Sequence, residues 1–427
     1  MASPARPSSP DGNAPAVESQ SDLPDHLVED ILLRLPTADD LARASMAGPS
    51  LRRIVADHSF LRRFHALHPP PLLGILAYES SQRANLSVAF LPAQPPHPSS
   101  AAAACTLAKA DFSCSFLPST ELWSYCDFCD GRLLLSKKGD FLANLAVCDP
   151  LHRRYLLLAA LPDDLAALSR QLDVRDCDPF LAPTGDNEGN NVDAPSGFRV
   201  MCLRGWCSSK LVLFIFSSSG ARAGQWHTVT FHGWGALMPG HVGWDFLSDT
   251  PYTRHHYAHT CFYWQIPYRH ELLVFDTRTE AFSCLSVPRS RDQIILAEAR
   301  EGRLGMFSRG IEDFENRSWY DIIRVDRNHL MYDILQDNGD GTKQWKREDI
   351  IPEPHNYRYS IIGVAGGHLL LHGNVRDPGS RDIDYNYYSI DLQTLKLEWF
   401  CGSAPVFISS DTHLYTGFLP SLSPPTI

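Results

Sequence analysis

From about residue 105 to the C-terminus the chain is a succession of short apolar or aromatic runs, separated by clusters of Gly, Asp, Asn, Ser and Pro. Arg132–Ser136, Lys210–Phe216, Cys261–Ile266, Leu272–Phe275, Tyr320–Val325, His368–His372 and Tyr385–Ile390 are such runs. They are too short for buried helices, and their punctuation is that of strands and turns. Three stretches share one plan, in which a strand, a turn and a second strand end on an Asp-containing turn. Asp130-Gly131-Arg132 leads to Cys148-Asp149-Pro150, Tyr263-Trp264 leads to Phe275-Asp276-Thr277, and Gly366-Gly367-His368 leads to Ile390-Asp391-Leu392. Phe198–Leu203, Leu211–Ser217 and Gln225-Trp226 fit a further unit. Units of about 40–60 residues predict radial repetition of small sheets, a β-propeller of about six blades, some degenerate. A pair of β-sandwiches is the alternative. Asp163–Gln171 is expected to be a short helix, and loops are expected near 91–104 and 182–197.

The N-terminal part has a different texture. Residues 1–20, rich in Ser, Pro and Ala, read as a disordered tail. Residues 21–68 are dense in Leu, Ala, Arg and Asp. Pro24 stands where a helix begins and Pro36 where one must stop. Between them Leu27, Val28, Ile31, Leu32 and Leu35 recur at helical spacing, over an arc of about 140°. Asp25, His26, Glu29 and Asp30 fall on the other side, where Leu33 is the apolar exception. Thr37-Ala-Asp-Asp40 has the form of a capping box for a second helix carrying Leu41, Ala44 and Ser45. A third follows with Leu51, Ile54 and Val55, and a fourth with Phe60, Leu61 and Phe64. So small a module buries little of its own surface. Its broad apolar arc is covered either by a partner protein or by the large domain behind it (69–427).

Composition narrows the function classes. The formal net charge of the 427-residue chain is −11, which disfavours a nucleic-acid binder needing a Lys/Arg surplus. The eleven cysteines follow no regular framework and mostly neighbour apolar residues, as reduced core thiols do. No apolar run approaches the ~20 residues that span a bilayer, and none opens the chain as a secretory signal does. The expectation is a soluble nuclear or cytoplasmic protein.

The run from Asp22-Leu23-Pro24-Asp25 through Ile31-Leu32-Leu33-Arg34-Leu35-Pro36 resembles the opening of an F-box. The sequel does too, with Leu41, Arg43-Ala44-Ser45, Leu51-Arg52-Arg53-Ile54-Val55 and Phe60-Leu61-Arg62-Arg63-Phe64. The resemblance covers roughly residues 21–66. It implies docking to a Skp-type adaptor, which bridges to a cullin, with Leu23, Pro24, Ile31, Leu32, Leu35 and Leu51 as contacts. Many F-boxes carry Trp where this chain has Leu51, preceded here by Gly48-Pro49-Ser50; leucine offers less contact area. The remainder is similar to the degenerate propeller that follows the F-box in many plant F-box proteins, down to the closing Gly417-Phe418-Leu419-Pro420. The resemblance implies a substrate receptor that recruits a protein target for ubiquitination, without catalytic residue, cofactor or metal of its own. A propeller enzyme, a carbohydrate-binding protein and an F-box protein acting outside a ligase are the rival readings.

Other chemical motifs are thin. Cys126-Asp-Phe-Cys129 has metal-ligand spacing, but a structural zinc site needs four ligands and there is no second such pair; two thiols near a strand end is the expected arrangement. Arg254-His255-His256-Tyr257-Ala258-His259 reads as a blade-connecting loop. Asp163-Asp164 and Glu312-Asp313 read as solvated. There is no Gly-x-Ser-x-Gly elbow, phosphate-binding loop or dinucleotide fingerprint. Of the aromatics Trp226, Trp234, Trp244, Tyr252, Tyr257, Trp264, Trp319 and Tyr320, most are expected to fill the core. Trp234 and Trp244, beside Gly-rich sequence, are the expected target-binding contacts.

Overall fold

A computed structural model describes residues 23–36, 38–68, 70–78, 88–118, 123–137, 144–172, 179–182, 197–206, 209–237, 255–266, 269–288, 291–299, 302–310, 329–339, 342–353, 357–375, 385–403 and 412–416. The chain divides into two compact units, Met1–His68 and Pro69–Ile427. The expected tail at 1–20, the run Tyr320–Val325 and most of the loop at 182–197 lie outside the described residues.

Among its described residues the first unit holds four short helices, α1 (Asp25–Leu32), α2 (Ala38–Met46), α3 (Pro49–Val55) and α4 (His58–Leu67). Local chemistry sets their ends. Pro24 caps α1 with φ −52°, and Asp25 occupies its first turn. Pro49 opens α3 behind Gly48. The Asp57 carboxylate accepts the N–H groups of Ser59 and Phe60 at 2.8 and 3.1 Å and starts α4. Thr37 of the expected capping box is outside the described residues. Leu32, Leu33, Leu41, Ile54, Val55, Phe60, Leu61 and Phe64 are buried. Leu33 therefore does not lie on a polar side, as periodicity expects. The helix has ended at Leu32, and in the turn that follows the Leu33 carbonyl accepts His68 Nε2 at 2.7 Å.

The second unit is a six-bladed β-propeller. Blade one contains β1 (Leu72–Tyr78) and β2 (Val88–Pro92), followed by α5 (Ser100–Lys109). Blade two is β3 (Trp123–Cys129), β4 (Arg132–Lys137), β5 (Leu145–Asp149) and β6 (Arg154–Leu157), followed by α6 (Asp163–Gln171). Blade three is β7 (Phe180–Ala182), β8 (Arg199–Arg204), β9 (Leu211–Ser217) and β10 (Gln225–Phe231), followed by the single turn α7 (Trp234–Leu237). Blade four is β11 (His255–Ala258), β12 (Cys261–Gln265), β13 (Glu271–Asp276) and β14 (Ala281–Ser286). Blade five is β15 (Arg291–Glu298), β16 (Leu304–Gly310), β17 (His329–Asp337) and β18 (Lys343–Pro352). Blade six is β19 (Tyr357–Ala365), β20 (His368–Val375), β21 (Tyr385–Asp391) and β22 (Leu397–Ser403). The last strand, β23 (His413–Thr416), returns to pair antiparallel with β1. Blade one is thus closed by β23, and among the described residues it alone has three strands.

The innermost strands β3, β7, β11, β15, β19 and β23 form a ring. Phe180 of β7 lies 4.3 Å from the His255 ring of β11. Wedges of apolar side chains fill the gaps between successive blades. Val147 and Leu134 of blade two meet Phe214 and Val212 of blade three, and Leu213 and Ile215 on the opposite face of β9 meet Phe262 and Trp264 of blade four. Every residue of β9 is buried, so it reads as a continuous apolar run rather than an alternating one.

Turn chemistry repeats with the blades. Asp130-Gly131, His259-Thr260 and Gly366-Gly367 join the first two strands of blades two, four and six with positive φ at both residues, the geometry of two-residue hairpins that match strand twist. Asp149, Asp276 and Asp391 end the third strands, and each carboxylate accepts two backbone N–H groups just beyond it. The loop expected near 91–104 is corrected in part: α5 occupies its end, because the alanine run from Ala101 favours helix.

Candidate functional site

In the helical unit, α1 carries its acids toward the neighbouring helices. Asp25 pairs with Arg53 of α3 at 2.7 Å, and Glu29 with Arg63 of α4 at 2.7 Å. Leu27 and Ile31, one turn apart on α1, are 41% and 55% exposed, and Leu23 just before it is 55% exposed. Spacing of four residues puts Leu27 and Ile31 on one outward face of α1. Pro24 is exposed beside it, and Leu35 and Leu51 are half-buried. Leu32, an expected contact, is buried instead at 4% exposure; it sits one position around the helix from Ile31 and points inward. Leu27, and Met46 at the end of α2 with 69% exposure, were not among the contacts expected from sequence. Both are periodic positions whose side only packing reveals.

In the propeller, the axis gathers polar groups from three blades. Asp127 of β3 is buried; its Oδ2 accepts the Leu181 N–H of β7 at 2.7 Å. Its Oδ1 lies 3.5 Å from His413 Nδ1 of β23. His255 of β11 faces the same pair. Burial holds its imidazole below the usual histidine range, against the pull of the Asp127 charge. His255 was expected in a connecting loop; it belongs to an innermost strand, and its ring packs on Phe180 and Phe262. Arg254 lies outside the described residues.

A second polar group lies between blades one and six. His97 Nε2 is 3.1 Å from Ser389 Oγ, and His97 Nδ1 accepts the Ser99 N–H at 3.2 Å. With Nδ1 accepting, a neutral ring carries its proton on Nε2 and donates to the serine. That polarity is opposite to the one that activates a serine nucleophile. Burial and nearby His368 keep His97 below its usual range.

Cys126 is buried and Cys129 half-buried on β3. Burial, with Asp130 and Asp127 close by, pushes the Cys129 thiol well up. Among the described residues there is no group of three or more His, Cys, Asp or Glu side chains able to hold a metal ion. Asp163 and Asp164 are exposed in the first turn of α6.

The tryptophan expectation is corrected at Trp234. This side chain is fully buried, crosses Trp206 edge-on at 5.0 Å, and donates from its indole to the Trp206 carbonyl at 3.0 Å. Adjacent glycines mark a tight approach to blade three rather than an open loop: a Cβ on Gly235 would stand 2.9 Å from the Ser209 carbonyl oxygen. Trp226 and Trp264 are buried as well. Trp244, Tyr252, Trp319, Tyr320 and Glu312-Asp313 lie outside the described residues. No helix among the described residues is long and apolar enough to cross a membrane.

No family model and no curated protein matches the chain. Solved structures similar to it include TolB from Acinetobacter baumannii, at 8% identity and TM-score 0.38, covering 83% of this chain and 70% of that one. Another is YCF48 from Cyanidioschyzon merolae, at 9% identity and TM-score 0.33, covering 65% and 72%. The β-propeller domain of Myceliophteria thermophila Cps50 (Swd1) is similar at 10% identity and TM-score 0.30, covering 66% and 74%. Likeness at this level carries no argument about what the chain does.

Proposed function

We propose that the chain is a non-catalytic substrate receptor of a Skp-cullin-F-box ubiquitin ligase. The helical unit docks the Skp-type adaptor, and the propeller recruits the protein target. The observation that carries this reading is the exposed pair Leu27 and Ile31 on a helix whose acids are engaged by Arg53 and Arg63, with exposed Leu23 just before it. Burying three such side chains is worth on the order of 5 kcal/mol, so the surface is suited to a permanent apolar partner. The F-box resemblance of residues 21–66 names that partner. The receptor supplies proximity, while ubiquitin transfer belongs to another subunit.

Capture of a Skp-type adaptor by the full chain tests the reading, with Leu23→Ala/Pro24→Ala and deletion of residues 21–66 as comparisons. Loss of adaptor from both altered chains is the expected result; equal recovery from all three sinks it. A second reading, a propeller enzyme or carbohydrate-binding protein, draws on the axial Asp127, His255 and His413. A saccharide or hydrolysable substrate whose binding is lost in Asp127→Asn, in a chain that captures no adaptor, would replace the ligase reading.

A further inference from the structure

β6 is the outer edge of blade two, and all four of its residues are exposed. Tyr155, Leu156 and Leu157 are 39%, 41% and 52% exposed, so apolar side chains stand out on both faces of the strand. Phe116 stacks on Tyr155 at 6.4 Å and widens the apolar surface. Blades five and four guard their outer edges. β18 surrounds an exposed Ile350 with Lys343, Lys346, Arg347, Glu348 and Asp349. β14 turns Ser283, Cys284 and Ser286 outward and keeps Phe282 and Leu285 half-buried. An edge left both apolar and uncharged is a template for another strand, which sheets otherwise avoid.

Backbone register shows what the edge offers. The Leu158 N–H donates to the Leu145 carbonyl at 2.9 Å, and the ladder pairs Ala146 with Leu157 and Val147 with Leu156. Hydrogen-bonded and non-hydrogen-bonded pairs alternate in an antiparallel ladder. The N–H and C=O groups of Tyr155 and Leu157 therefore point away from β5. Among the described residues no backbone group pairs with them there. Arg153 and Arg154 are exposed at the N-terminal end of the strand, a basic spot on a chain of net charge −11. That overall charge opposes a second copy of the chain, while the two arginines favour acidic residues in a segment seated at this spot.

We propose that the propeller receives an extended segment of its protein target on this edge, added antiparallel to β6 as a fifth strand of blade two. Main-chain bonds to Tyr155 and Leu157 give affinity, and apolar side chains of the segment cover Tyr155, Leu156 and Leu157. An antiparallel segment ends beside the arginines, so it carries acidic residues at its C-terminal end. The inference rests on the receptor reading for the identity of the occupant as a target.

The test uses the full chain and a phage library of random peptides long enough to span β6. Enriched peptides are synthesised with a fluorophore and titrated by anisotropy. Enrichment of alternating apolar sequences with C-terminal Asp or Glu is expected. Leu157→Pro removes an outward donor and leaves the Leu156 ladder bonds intact; with Leu157→Lys as a second, milder block, each is expected to weaken binding at least ~10-fold with the melting temperature held. Three results overturn the proposal: no enrichment over the Leu157→Pro chain, equal binding by all three chains, or a wild-type dimer that Leu157→Lys converts to monomer. Adaptor capture is measured on the same samples. Peptide failure with capture intact removes this inference alone, whereas peptide binding without capture removes the ligase reading and leaves a peptide-binding edge.

Discussion

Asp127 Oδ2 accepts the Leu181 N–H at 2.7 Å, so a buried carboxylate on the innermost strand of blade two holds the innermost strand of blade three. A register shift between Tyr125 and Asp127 marks a bulge beside it. The second carboxylate oxygen, 3.5 Å from His413 Nδ1, reaches the closing strand of blade one. One side chain thus ties three blades at the axis. Asp127→Ala leaves the Leu181 N–H without its acceptor and is expected to cost about 1–3 kcal/mol. Asp127→Asn keeps an acceptor and is expected to lose less. Urea unfolding of the three chains checks the order; an Asn variant as damaged as the Ala variant would show that this hydrogen bond does not carry the effect.

Ile31 and Leu32 are neighbours with opposite roles. Ile31→Glu puts a charge on the outward face of α1, where the free chain does not bury it, so stability is expected to change by less than about 0.5 kcal/mol. Adaptor capture, however, is expected to fall at least ~10-fold, as a charge enters an apolar contact. Leu32→Ala removes a buried side chain and is expected to cost about 2–4 kcal/mol, with capture declining only as far as the helical unit unfolds. Thermal unfolding and adaptor capture on the same preparations separate the two. Equal capture by Ile31→Glu and wild type would exclude that face as the docking surface.

Much of the propeller was legible because its turns are made locally. Asp149, Asp276 and Asp391 cap the turns that follow them with their own carboxylates, and Gly366-Gly367 adopts the positive φ that glycine alone takes without strain. α6 was legible from spacing and occupies Asp163–Gln171 as expected. What escaped depends on contacts between distant residues. Trp234 reads as exposed from its glycine neighbours, yet it is buried against Trp206 and donates to the Trp206 carbonyl. His255 reads as loop because the innermost strand β11 has only four residues, two of them histidine. The exposure of Tyr155–Leu157 is not legible from its apolar sequence, since position at a sheet edge is a matter of topology. The direction of Leu32 was missed for a related reason: a broad apolar arc does not say which of its two borders faces inward.

Thr260 adopts φ 62° and His259 φ 49° in the two-residue turn between β11 and β12. A β-branched side chain is strained there. Thr260→Gly is expected to stabilise the propeller by about 1 kcal/mol, the strain relieved exceeding the flexibility added to the unfolded chain. Glu280, at φ 50°, makes the useful contrast. Its carboxylate lies 3.1 Å from His227 Nε2 and 3.2 Å from Arg222 on blade three, so Glu280→Gly gives up an inter-blade contact along with the strain and is expected to yield no gain. Denaturant midpoints compare the two variants. A loss of stability in Thr260→Gly would mean that the threonine side chain has a compensating role.

Glu353, just past β18, is buried against Arg309 of β16. Burial raises its carboxyl from the ordinary 4.5 to about 6, with the Arg309 charge and hydrogen bond offsetting part of the rise. Through this window the folded chain binds more protons than the unfolded chain, so stability from this group is present at low pH and is lost as pH rises through about 6. A rise of that size is worth about 2 kcal/mol. His97, His255 and His372, held neutral by burial, act in the opposite sense, because they become easier to protonate on unfolding and weaken the fold as pH falls. The whole-chain curve therefore mixes both signs, and the comparison with Glu353→Gln isolates the carboxyl. The wild type is expected to gain stability over the glutamine variant between pH 7 and pH 4.5, by about 1.5 kcal/mol. Urea unfolding at steps across that range measures the difference, and a constant difference across the range would mean that Glu353 titrates as an ordinary exposed carboxyl.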